Sequence, residues 1–157
     1  MNNLWFVCKV KYDKMMETGL QKKVTEAYMV EALSFTEAER RFIEEISPFM
    51  TGEYTVTDIH RTKFAEVMES NDNNADRWFK AIIAFITLDE KSGAEKRSRQ
   101  FVLVQATDFR DALRELDEHM KGTLGDWTIE TISETKIMDI FHYAQAERTS
   151  TNPEANS

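Results

Sequence analysis

An offset of 73 to 74 residues relates the two halves of this chain, and it constrains the fold more than any other feature. Two similar halves must build two similar units. Trp5-Phe6 aligns with Trp78-Phe79, Val10 with Ile83, and Tyr12 with Phe85. After one extra residue in the second half, Gly19 meets Gly93 and Val30 meets Val104. Ser34-Phe35-Thr36-Glu37-Ala38 then meets Asp108-Phe109-Arg110-Asp111-Ala112. The offset later returns to its first value, so that Gly52-Glu53-Tyr54-Thr55-Val56 meets Gly125-Asp126-Trp127-Thr128-Ile129. The best-kept stretch pairs Thr62 to Met68 with Thr135 to Phe141. Chance supplies single matches of this kind, whereas an ordered series along nearly the whole chain requires a duplication.

Each half reads as two strands, a helix and a further strand. Cys8, Val10 and Tyr12 alternate with Lys9 and Lys11, the period of a half-buried strand. Turns fall near Met16 to Gly19 and Glu90 to Gly93, and return strands run through about Val24 to Leu33 and Arg97 to Thr107. Ser34 and Asp108 have the chemistry of helix N-caps, with Glu37 completing a capping box. Phe35, Ala38, Phe42 and Ile46 form one helical stripe, and Phe109, Ala112, Leu116 and Met120 form the other. Pro48 and Gly122 stop the two helices. The last segment of each half breaks its alternation near Thr62 and Thr135, as one kinked strand or two short ones. The expected fold class is α+β: a duplicated ββαβ unit with antiparallel sheets, one helix per repeat and a pseudo-twofold relation.

Ser70 to Asp76 is a polar run of turn formers, a linker too short to free the halves from each other. A half of about 70 residues is marginal alone, and its sheet leaves open edges. We therefore expect one domain over residues 1–143, built from repeats at about 5–69 and 78–142, followed by a disordered tail over residues 144–157. The open, repeated edges also make a homodimer a natural expectation.

Composition narrows the function classes. Twenty Lys and Arg against 28 Asp and Glu leave a net charge of −8, which argues against wholesale coating of nucleic acid or anionic membrane. No apolar run reaches the length of a membrane span, and Met1 to Trp5 has no signal-peptide character. One cysteine, Cys8, excludes an intramolecular disulfide. The expectation is a cytoplasmic chain. Charge is also distributed by element: residues 1–24 carry five basic and two acidic side chains, residues 78–100 five and three, and the helix-containing stretches are acidic.

That distribution makes two basic hairpins with aromatic neighbours. Lys22, Lys23, Lys96, Arg97 and Arg99 could track a single-stranded nucleic acid whose bases stack on rings. The simpler role of such lysines is to keep strand edges from pairing with other chains. The repeated Thr62-Lys63 and Thr135-Lys136 could line a site for a small anion at the repeat junction. Their structural role would be to satisfy backbone groups freed by a bulge. His60, His119 and His142 have no histidine counterparts in the other half and no metal-ligand spacing, so no metal site is expected. No phosphate loop, nucleophile elbow or zincin motif is present, no cofactor is implied, and helix-borne carboxylates such as Glu44 and Asp117 read as a solvated face. A catalyst is the less favoured reading.

Six stretches carry a resemblance: Trp5 to Tyr12, Lys23 to Glu26, Ala32 to Glu39, Asp89 to Gly93, Leu103 to Ala106, and Thr135 to Phe141. They resemble a small domain-of-unknown-function family of Bacteroides-group bacteria and their phages or mobile elements. The resemblance implies a single cytoplasmic domain and no assigned activity. The functional expectation is a non-enzymatic binding or regulatory module for a macromolecule, with a protein partner favoured. A single-stranded nucleic-acid binder and a small anionic-ligand binder are the alternatives.

Overall fold

The computed structural model describes residues 4–143, and the expectation for the tail beyond them lies outside the described residues. Each repeat begins with a long hairpin: β1 (Leu4–Met15) with β2 (Gln21–Ala32), and β5 (Arg77–Leu88) with β6 (Glu95–Ala106). Gly19 and Gly93 turn these hairpins with φ of 86° and 70°, a conformation that costs a side chain dearly and glycine little. Helices α1 (Phe35–Ile46) and α2 (Phe109–Met120) follow, then β3 (Tyr54–Arg61) with β4 (Phe64–Met68), and β7 (Asp126–Glu134) with β8 (Ile137–Phe141). The fold is α+β with internal duplication.

Both helix starts follow the capping chemistry. Ser34 Oγ accepts from the Glu37 amide at 3.1 Å, and Glu37 Oε1 accepts from the Leu33 amide at 2.8 Å. In the second copy Asp108 Oδ1 accepts from the Asp111 amide at 2.8 Å, and Asp111 Oδ2 accepts from the Thr107 amide at 3.0 Å. Asp111 thus does in the second helix what Glu37 does in the first. Phe35 and Phe109 stay about half exposed, so the buried stripes begin at Ala38 and Ala112.

The break at Thr62 and Thr135 resolves into two short strands that belong to different sheets. The first sheet has the order β3-β1-β2-β8 and the second β7-β5-β6-β4. β8 pairs parallel with β2, and β4 pairs parallel with β6. Each repeat therefore gives its last strand to the sheet of the other. Three strands of each sheet are antiparallel, and the received strand makes the sheet mixed. Because donor and recipient strands come from different repeats, no tight turn forces them antiparallel. The described residues form two compact units, one of residues 4–62 with 137–143 and one of residues 63–136.

In the first unit Ala38, Phe42 and Ile46 pack on Phe6, Cys8, Val10, Val30 and Ala32. In the second, Ala112, Leu116 and Met120 pack on Phe79, Ala81, Ile83, Val102 and Val104. Both sheets carry a register shift at matching places, Lys9/Val10 against β3 and Ile82/Ile83 against β7. At twelve residues, the hairpin strands are about twice the usual strand length. Burial in β1 fades after Val10, and in β2 it sets in only toward the C-terminal end. The turn end of the hairpin thus runs on without a core behind it.

Candidate functional site

Lys22 and Lys23 lie in that projecting end, at the start of β2, opposite Lys14 and Asp13. Beside them the turn presents Met15 and Leu20, which are 61% and 71% exposed. The Met16 amide donates to the Leu20 carbonyl at 2.8 Å and closes the turn. Lys14 reaches Glu26 at 3.4 Å. Among the described residues Lys22 and Lys23 have no ion pair.

Lys96, Arg97 and Arg99 occupy the corresponding strand of the second unit, opposite Thr87, Ile86 and Ala84. Here the two arginines are partnered. Glu130, in the bulge of β7 against Ile82 and Ile83, reaches across β5 and accepts from Arg99 Nε at 2.6 Å and from Arg97 at 2.8 Å. Hydrogen bonds from Arg99 and then Arg97 hold the Glu130 carboxyl below its ordinary value. Sequence reasoning counted these arginines as a binding surface and missed Glu130. The signal was present in the repeat itself, since Glu130 aligns with Thr57 in the first half.

The repeated Thr-Lys positions have a local explanation for the threonines. Thr62 donates from both its amide and Oγ1 to the Trp5 carbonyl, at 2.8 and 2.9 Å. Thr135 does the same to the Trp78 carbonyl, at 2.8 and 2.9 Å. Each threonine pins the chain where it leaves one unit for the other. Thr62 closes the first unit and Lys63 opens the second, while Thr135 and Lys136 end the second. Lys63 and Lys136 are exposed.

The candidate catalytic groups do not assemble. His60 meets Asp58 at 2.9 Å, His119 meets Glu66 at 2.8 Å, and His142 meets Glu31 at 3.6 Å. Cys8 is fully buried, and desolvation pushes its thiol up to about 12, far from a reactive thiolate. Among the described residues no group of three His, Cys, Asp or Glu side chains is placed to hold a metal. Among them, too, no helix is long and apolar enough to cross a membrane.

One concavity lies on the outer part of the first sheet, a groove of about 380 Å³ lined by Lys11, Asp13, Lys23, Glu53, Thr55 and Thr57 among others. Lys11 and Thr55 are direct cross-strand partners, and Lys23 faces Asp13 on the other side of β1.

A family model described as a domain of unknown function, DUF4494, matches residues 4–143. The chain belongs to this family. No curated protein and no solved structure matches it. The DUF4494 match spans both repeats and both exchanged strands, so the family unit is the duplicated structure and not a single repeat.

Proposed function

We propose that this DUF4494 chain is a non-enzymatic binding module that engages a protein partner through the projecting end of the β1–β2 hairpin. The observation that carries this reading is the pairing of exposed Met15 and Leu20 with the unpaired Lys22 and Lys23. Exposed aliphatic side chains rimmed by charge are the composition of a contact surface, and cations at its rim favour an acidic partner surface. A strand hairpin that outruns its own core can enter a partner without disturbing the fold that carries it. Each histidine meets a carboxylate rather than a nucleophile, and the Cys8 thiol is buried and pushed up to about 12, so among the described residues nothing positively supports a catalytic reading. The setting we propose, from the resemblance of the Trp5 to Tyr12 and Thr135 to Phe141 stretches, is the cytoplasm of Bacteroides-group bacteria or of cells carrying their mobile elements.

Two features weigh against single-stranded nucleic acid as the partner. Arg97 and Arg99 are committed to Glu130, and the exposed apolar side chains of the first tip are aliphatic, whereas base stacking uses rings. The test is capture by the full chain with a photo-crosslinker placed at Gln21, repeated with Leu20→Asp and with Lys22→Glu/Lys23→Glu. Crosslinks to one protein, lost in both variants and retained when Leu88 of the second hairpin is changed to Asp, support the reading. Titration with labelled single-stranded DNA and RNA at low and moderate salt is the second arm. Micromolar, salt-sensitive binding there, with no tip-dependent protein crosslink, replaces the protein reading with the nucleic-acid one.

A further inference from the structure

We infer that the groove on β1, β2 and β3 of the first unit receives a carboxylate of the partner, held between the ammonium groups of Lys11 and Lys23 and the hydroxyls of Thr55 and Thr57. This deepens the protein-binding reading and rests on it.

The argument comes from the second copy of the same scaffold. There the strand equivalent to β2 carries Arg97 and Arg99, and the strand equivalent to β3 supplies Glu130 as their counter-ion. Glu130 projects from the bulge of β7 that lies against Ile82 and Ile83, and Ala84, the partner of Arg99 on β5, is wholly buried. In the first unit Lys23 stands where Arg97 stands, and Thr57 stands where Glu130 stands. Lys11 replaces Ala84 and adds a second cation at the centre. The Glu130 carboxylate is therefore missing, Lys23 keeps the charge of Arg97 while Thr25 replaces Arg99, and a groove of about 380 Å³ opens at that place. Among the described residues neither Lys11 nor Lys23 has an ion pair. Thr57 sits in the segment between Val56 and Asp58 where β3 shifts register, which brings an extra exposed side chain to the groove.

Asp13 and Glu53 also line the groove and set its selectivity. Two ammonium groups beside two carboxylates do not form a polyanion track. They fit one carboxylate with a cationic or neutral neighbour, as on a peptide segment of mixed charge. A nucleic-acid backbone or polyphosphate would meet repulsion from Asp13 and Glu53.

The experiment is titration of the full-length, isotope-labelled protein with a peptide of alternating Glu and Lys, followed by amide chemical shifts. Hexaglutamate and inorganic phosphate are titrated in parallel. The expected result is saturable shifts at Lys11, Lys23, Thr55 and Thr57 with the alternating peptide, in about the millimolar range typical of one weak ionic contact. Hexaglutamate should bind more weakly. Thr57→Glu, which supplies the carboxylate of the second copy, should abolish the shifts, and Lys11→Gln/Lys23→Gln should do so without adding charge. Phosphate binding as tight as the peptide, shifts unaltered by both variants, or no shift at these amides overturns the carboxylate site. Those outcomes leave the tip-dependent crosslink untouched, so failure of the groove and failure of the partner reading are told apart.

Discussion

The two units share strand order, register shift, helix caps and even the threonine that pins each exit, yet they differ in what they do with their charge. In the second, Arg97 and Arg99 close on Glu130. In the first, Lys23 and Thr57 line an open groove, and the neighbouring tip exposes Met15 and Leu20. The polar network of the first unit lies elsewhere, where Tyr12 and Tyr28 both donate to Glu26 Oε1, at 2.8 and 3.2 Å. The second copy has Phe85, Val102 and Gln100 at those places. A duplication keeps the scaffold because packing demands it in both copies. Surface charge is free to drift, so one copy can be tied off while the other stays open to a partner.

The comparison is broken most forcefully in the cores. Phe42 and Leu116 are equivalent and fully buried. Phe42→Ala should cost about 3–5 kcal/mol and Leu116→Ala about 2–5 kcal/mol, read by denaturant unfolding. Cys8 reports on the first unit, because its thiol is sealed and pushed up to about 12. Phe42→Ala should speed its labelling by a disulfide reagent strongly. If Leu116→Ala speeds it too, the exchanged strands couple the two units. Labelling that ignores Leu116→Ala would show that the units open independently despite the exchange.

A smaller effect is expected where the chain changes units. Thr62→Val and Thr135→Val each remove a hydroxyl bond to a tryptophan carbonyl and should each cost about 0.5–1.5 kcal/mol. Equal losses in thermal or denaturant unfolding sharpen the equivalence of the two exits. A loss at one exit alone would mean that only that threonine matters for anchoring.

The smallest effects separate the units by pH. The Glu130 carboxyl is held low by Arg99 and Arg97, so its contribution is present above the ordinary glutamate value of 4.5 and fades as pH falls through its lower folded value. Glu130→Gln should flatten the acid limb of stability against pH. Tyr12 runs the other way. Burial, and then its bond to Glu26, raise the phenol from 10.0 to about 12. Its contribution is complete below pH 10 and lost as pH rises toward 12, and Tyr12→Phe should make the alkaline limb shallower, leaving the part that the raised Tyr28 and Cys8 supply. An unchanged profile in either variant would detach that limb from its unit.

Much of the scaffold was legible because it depends on local chemistry. Ser34 with Glu37 marks a helix start, and Phe42 with Ile46 marks its buried face whatever lies opposite. The match between halves then confirms each assignment twice. Less of the candidate site was legible. Lys22 and Lys23 look the same in sequence as Arg97 and Arg99, and only cross-strand geometry separates free cations from paired ones. Glu130 is more than thirty residues from Arg97 and Arg99, beyond the reach of any spacing rule. Comparing Thr57 with Glu130 would have raised the question without answering it.

The sequence by itself determined the duplication, the α+β class, the helices and the interruption at Thr62 and Thr135. Periodicity, capping and glycine turns act within a few residues, so they can be read along the chain. The tertiary structure alone decided that β4 and β8 change sheets. Two near-identical sheet edges offer each short strand nearly the same side-chain pattern, and pairing between distant segments leaves no local mark. It also decided which cations meet a carboxylate, because that depends on which strands lie side by side.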